Sequence, residues 1–156
     1  ISAGIAALLQ NQDQLEMLKN DLSLLPNAIE EMLRWATPVR NMNRTATQDV
    51  VVNGFTIHKG DRILLLYPSA NRDEKVFSDP FKFDITRTPN DHVAFGAYGR
   101  HHCLGAPLAR LELRVLFEEI LRRFDTMQLA TDGPLPWRRG NFVLGLNEVP
   151  VTFTAK

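Results

Sequence analysis

The feature that most restricts this chain is one segment: Phe95-Gly96-Ala97-Tyr98-Gly99-Arg100-His101-His102-Cys103-Leu104-Gly105-Ala106-Pro107-Leu108-Ala109-Arg110. It carries the only cysteine among 156 residues. A glycine-rich loop delivers one thiol to the point where an amphipathic helix begins. Free N–H groups and the positive end of a helix dipole favour the thiolate form at such a position. Glycines let those N–H groups approach the sulfur closely. One cysteine forms no intramolecular disulfide and fits a reducing compartment. A thiolate presented this way suits a single axial metal ligand.

On residue type alone, a free cysteine reads as a buried, inert core residue. The fixed spacing of Gly99, His101 and Gly105 around it argues otherwise. Zinc is the rival reading for His101, His102 and Cys103. It needs about four ligands in tetrahedral reach; adjacent histidines point apart, and only His58 and His92 remain. Gly96, Gly99 and Gly105 match neither the dinucleotide fingerprint nor a P-loop.

The rest of the chain predicts a mainly α fold with a smaller β part. Ser2–Gln10 and Gln12–Asn20 read as helices bent at Asn11. Pro26 suits the first turn of a third helix. Its residues Ile29, Met32, Leu33 and Ala36 form an apolar face, with Glu30, Glu31 and Arg34 on the other side. Pro38 stops it. Val50-Val51-Val52, Asn53-Gly54 and Phe55-Thr56-Ile57 spell a hairpin, because Asn-Gly supplies the left-handed turn. Arg62–Leu66 reads as a buried strand. Leu104–Phe124 is the longest helix, with apolar faces through Leu108, Leu111, Val115, Phe117 and Leu121. Asn141–Thr154 reads as a second hairpin, its arms Phe142–Leu144 and Val149–Phe153.

Eighteen basic and eighteen acidic residues cancel, which removes the electrostatic case for a nucleic-acid partner or an anionic membrane. The longest aliphatic run, Ile63–Leu66, is far too short to span a bilayer. The expected location is the cytoplasm; no secretory leader is visible within residues 1–156, and an anchor or targeting signal upstream of Ile1 stays open. Ile1–Leu9 has no N-cap and reads as the middle of a helix. Residues 1–156 are therefore expected to be part of one domain, the C-terminal piece of a longer protein.

The cysteine segment resembles the ligand loop of the cytochrome P-450 family, the haem-thiolate monooxygenases. Gly99, His101, Cys103 and Gly105 fall where the pattern Phe-Gly-x-Gly-x-His-x-Cys-x-Gly wants them. Phe95 lies eight residues before the cysteine and Gly96 seven, as if one residue had been inserted at Ala97 or Tyr98. Some bacterial members that act on sterols and other lipids are similar in this respect. Glu31-Met32-Leu33-Arg34, just ahead of Trp35-Ala36-Thr37-Pro38, resembles the family's Glu-x-x-Arg motif. The likeness extends through Asn71-Arg72-Asp73, Asp79-Pro80 and the final strand region.

The resemblance implies the C-terminal part of the cytochrome P-450 fold. Cys103 would be the proximal ligand of the iron in haem b (iron protoporphyrin IX). Arg44, His92 and His101 would bind the haem propionates, and Phe95, Gly99 and Gly105 would shape the loop. The plain alternatives are two loop histidines and a strand-end arginine facing solvent. Glu31 and Arg34 would form a buried ion pair rather than an exposed i, i+3 pair, with Lys82 of Pro80-Phe81-Lys82-Phe83 as a weaker third partner. Val39, Met42, Val143 and Leu144 would line a substrate pocket.

The implied activity is insertion of one oxygen atom from O2 into an apolar, lipid- or sterol-like molecule. Electrons would come from a ferredoxin/ferredoxin reductase-type donor, docked against Arg100, Arg110 and Arg114. Two alternatives stay open: a catalytically incomplete fragment, and a small non-catalytic haem-binding module.

Overall fold

The computed structural model describes residues 1–96 and 99–156. Helix α1 (Ser2–Gln10) and helix α2 (Gln12–Asn20) meet at Asn11. The Asn11 side-chain amide donates to the Ala7 carbonyl at 2.7 Å, satisfying one acceptor that the end of α1 leaves unpaired. A short 3-10 turn (Leu22–Leu24) leads into α3 (Leu25–Ala36), with Pro26 in its first turn. The chain leaves α3 through Thr37, whose φ of 38° is left-handed.

Helix α3 is central rather than two-faced. Ile29, Met32 and Leu33 are buried as the periodicity predicts, but Glu31 and Arg34 are each 0% exposed. They lie opposite the apolar face and still form the buried ion pair that the motif implies, because other segments close over that side and supply hydrogen-bond partners. Around α3 one apolar core joins Leu8 and Leu9 of α1, Leu15 and Leu18 of α2, and Phe83 and Ile85 of the loop region. Leu113, Phe117 and Leu121 complete it from α5 (Ala106–Arg123).

Three small antiparallel pairs flank the helices. Strand β1 (Asn41–Thr45) pairs with β4 (Arg62–Leu66). Between them β2 (Val50–Val52) and β3 (Phe55–Ile57) form the predicted hairpin. Asn53 at φ 50° and Gly54 at φ 82° make its turn, the left-handed pair that matches strand twist. A short helix, α4 (Tyr67–Ala70), follows β4.

Three sequence expectations are corrected here. Strand β4 is a strand but not buried: Leu64, Leu65 and Leu66 are 51%, 36% and 53% exposed, since only β1 pairs with it. The apolar residues Leu108, Leu111 and Val115 lie on the outer face of α5, while Leu113, Phe117 and Leu121 face the core. The tail does not fold on itself as a hairpin. Strand β6 (Val151–Ala155) pairs with β5 (Phe124–Leu129). Val143 instead bridges to Val39, and Trp137 to Leu146.

Candidate functional site

The cysteine is held by backbone. The Cys103 N–H donates to the Phe95 carbonyl at 2.9 Å, and the Cys103 carbonyl accepts from Ala106 N–H at 3.2 Å, where α5 begins. The thiol is exposed. Gly96 and Gly99 have φ of 85° and 123°, a region L side chains rarely adopt. At Gly105 the backbone is not left-handed; there a Cβ would meet Cys103 Sγ at 3.8 Å, an ordinary contact distance. Ala97 and Tyr98, where the extra loop residue was located, lie outside the described residues.

Cys103 opens on an apolar cleft of ≈ 610 Å³ whose walls include Leu33, Val39, Met42, Ala94, Phe95 and His101. Arg44 and Tyr67 also line it. A second hollow of ≈ 480 Å³ adjoins it and shares Arg44, Tyr67, Gly96 and His101 as walls. Val39 and Met42, expected at a pocket, are thus at the cleft. Val143 and Leu144 do not line it. They brace its wall from behind: Leu144 N–H donates to the Pro38 carbonyl at 2.7 Å, and Arg40 N–H to the Phe142 carbonyl at 2.9 Å.

The expected propionate ligands separate into two groups. Arg44 and His101 stand together at the border of the two hollows. His92 does not. Its side chain is 3% exposed, its Nε2 lies 3.0 Å from Glu30 Oε2, and its Nδ1 accepts from Ala94 N–H at 3.2 Å. Both of its ring nitrogens are thus engaged inside the protein.

Behind the loop lies a buried polar network. Arg34 donates from Nε and Nη2 to Glu31 at 2.7 and 2.8 Å. Its Nη1 donates to the carbonyls of Asn71 and Pro80 at 2.8 and 2.9 Å. Glu31 also accepts from Asp84 N–H at 2.9 Å and from Asn90 Nδ2 at 3.0 Å. The third charged partner is Arg87, not Lys82. Arg87 Nε lies 3.3 and 3.2 Å from the two Glu31 oxygens, whereas the Lys82 side chain is 64% exposed and reaches only Asp84 at 3.9 Å. Lys82 contributes its carbonyl, which accepts from Arg34 and Arg87. A guanidinium fork can bond carboxylate and carbonyls together, as an ammonium cannot. Arg87 is the only arginine between Arg72 and Arg100, a signal sufficient to find it.

A second ion cluster sits nearer the cysteine. Glu30 accepts from Arg110 Nε and Nη2 at 2.7 and 2.8 Å as well as facing His92. Burial opposes ionisation of Glu30, but the hydrogen bonds from Arg110 and His92 outweigh it and hold its pKa at about 2. The hydrogen bond to Glu30 raises the Arg110 pKa against the opposing effect of burial. The Arg110 charge is thus paired within the chain, and Arg114 is paired with Glu118 at 2.9 Å. Of the expected basic face, Arg100 alone has no ion pair among the described residues. No group of three or more His, Cys, Asp or Glu is placed to hold a metal ion among the described residues. No helix there is long and apolar enough to cross a membrane.

The sequence pattern that defines the cytochrome P-450 family matches residues 5–154, and the chain belongs to that family. It is 53% identical over 154 residues to a steroid C26-monooxygenase of Mycolicibacterium smegmatis, covering 99% of this chain and 38% of that protein. Among solved structures, CYP109E1 from Bacillus megaterium in complex with testosterone superposes with a TM-score of 0.90 at 38% identity, covering 97% of this chain and 41% of that one. P-450 BioI in complex with an acyl carrier protein ligated to hexadec-9Z-enoic acid gives 0.93 at 40% identity, covering 99% and 39%. The chain thus spans about two fifths of the length of these relatives.

The family implies a haem, and the residues present fit one. The cleft combines a thiol donor, apolar walls and, at one border, Arg44 and His101. An apolar macrocycle with an anionic edge needs that combination.

Proposed function

We propose that this chain is the haem-thiolate part of a monooxygenase that oxidises an apolar, lipid- or steroid-like molecule. The observation that carries the reading is the exposed Cys103 thiol at the mouth of an apolar cleft bordered by Arg44 and His101. Cys103 would hold the iron of haem b, and Arg44 and His101 its propionates through charge-assisted hydrogen bonds. Bound there, haem supplies oxygen activation, which a thiolate ligand promotes by pushing electron density toward the iron.

The chain's own residues do the rest. Val39, Met42 and Phe95 present carbon rather than polar atoms, so water is disfavoured in the cleft and a hydrocarbon skeleton is favoured. The names of the relatives, which mention a steroid, testosterone and a fatty acyl chain, support a lipid-like substrate. A ferredoxin-type donor would supply electrons, with Arg100 at its docking face. Residues 1–156 would then be part of a single larger domain.

The test is titration of the protein with haem, followed by reduction and addition of carbon monoxide, beside Cys103→Ser. A strongly red-shifted Soret band present only with Cys103 is the expected result. An imidazole-type band in both proteins overturns it. A second reading is a haem-binding chain without turnover. It is favoured by the apolar residues Leu104, Leu108, Leu111 and Val115, 98%, 57%, 55% and 52% exposed, because an uncovered apolar face marks a surface that folds against something else.

A further inference from the structure

The Glu30 cluster does more than neutralise a helix charge. It joins the two segments that hold Cys103. Upstream, His92 begins the stretch that ends at Phe95, whose carbonyl accepts the Cys103 N–H at 2.9 Å. Downstream, Arg110 lies on α5, which starts three residues past the cysteine. Glu30 accepts from both, at 3.0 Å from His92 and at 2.7 and 2.8 Å from Arg110. Arg110 also stacks over the Phe95 ring, its guanidinium carbon 4.7 Å from the centroid. Glu30, on α3, belongs to the helix that the Glu31–Arg34–Arg87 network fixes in the core.

His92 is oriented in turn. Its Nδ1 accepts from Ala94 N–H, so that nitrogen carries no proton, and the ring's proton is on Nε2, donated to Glu30. Among the described residues, the two segments are otherwise joined by the Cys103 N–H to Phe95 carbonyl bond, the Arg110–Phe95 stack and the apolar core they share. The Val93 N–H to Asn71 Oδ1 bond at 2.7 Å anchors the upstream segment alone and does not reach α5.

From this geometry we propose that Glu30 is a positioning residue for the cysteine: together with His92 and Arg110 it brackets both ends of the loop and sets where Sγ stands. The proposal rests on the haem-thiolate reading only for its consequence at the iron. The placement of Cys103 is testable without haem.

The experiment is amide hydrogen exchange on the protein and on Glu30→Gln, Arg110→Lys and Glu118→Gln. Glu30→Gln is expected to speed exchange at Cys103 by roughly tenfold or more, the scale of losing charge-assisted hydrogen bonds. Arg110→Lys, which keeps the charge but not the fork, should give a smaller rise, and Glu118→Gln none. The β5–β6 amides report global opening in the same molecules and should rise less than Cys103. Unchanged exchange at Cys103 overturns the proposal, as does a rise shared equally by β5–β6.

With haem bound, the carbon monoxide complex of Glu30→Gln should shift in part from the thiolate-type to the thiol-type Soret band. Faster exchange with an unaltered band overturns the claim that the bracket sets the ligand. Should the unmodified protein itself lack the thiolate-type band, the haem-thiolate reading falls, while the exchange data still decide the bracket.

Discussion

Helices α3 and α5 invert the usual arrangement in opposite directions. Helix α3 buries Glu31 and Arg34 completely, and α5 leaves Leu108, Leu111 and Val115 more than half exposed. The difference lies in what surrounds each helix. Arg34 Nε bonds Glu31 itself, and the other polar atoms of the pair meet partners from the 71–90 region, so burial costs little beyond what the bonds return. Nothing among the described residues covers the outer face of α5. Charge or apolarity at a position therefore says less about its depth than the partners the rest of the chain brings to it.

The comparison is most exposed to breakage at Glu31. Glu31→Ala leaves Arg34 and Arg87 buried without a carboxylate, and should cost about 3–5 kcal/mol; urea denaturation with a loss under half of that would refute the structural weight given to this network. Next comes a contrast within α5. Phe117→Ala, at a site 1% exposed, should lose about 3–5 kcal/mol, whereas Leu111→Ala should stay within about 0.5 kcal/mol. Equal melting shifts for the two would mean that the outer face is covered after all. Asn71→Ala removes the bonds to Thr37 and to Val93 N–H and is expected to cost about 1–3 kcal/mol, with Asn71→Asp recovering the acceptor but not the donor.

The pH dependence separates the second carboxylate on α3. Glu30 has a folded pKa of about 2, below its ordinary 4.5. A lowered carboxylate stabilises the fold above the unfolded pKa, and that contribution is lost as pH falls from 4.5 toward 2. Glu30→Gln should flatten the stability profile across that window; an unchanged acid limb in denaturant midpoints would remove Glu30 from the account. The smallest effect belongs to Glu119→Gln, which breaks an exposed pair with Arg123 and should alter stability by less than about 0.5 kcal/mol.

Local chemistry was the part of the fold most readable from sequence. Asn11, Pro26 and Asn53-Gly54 each act on neighbours a few residues away, so α1, α2, α3 and the β2–β3 hairpin follow from the residues themselves. The β5–β6 pairing joins segments separated by a long irregular stretch, and no local rule chooses Phe124–Leu129 over Phe142–Leu144 as the partner of the last strand. Burial of Arg62–Leu66 was misjudged because an aliphatic run signals apolarity, not the presence of a cover. At the site, the motif brings Cys103, Arg44, His101, Val39 and Met42 to one cleft. Arg87 is hidden behind Lys82, which stands in the slot the pattern gives to the third partner, and the His92–Glu30 contact joins residues 62 apart, a distance no local rule bridges.

Thr37 joins these two worlds. Its hydroxyl donates to the Arg34 carbonyl at 2.6 Å and accepts from Asn71 Nδ2 at 2.8 Å, and from it the chain runs directly into the cleft wall at Val39 and Met42. The wall is a beam tied along its span: clamped at Thr37, held at Pro38 and Arg40 by the backbone of Leu144 and Phe142, and at Met42 by pairing with Leu65. A change of side-chain size at Val39 or Met42 therefore reshapes the outline of the cleft without moving the backbone that carries it, and leaves the anchorage in α3 undisturbed.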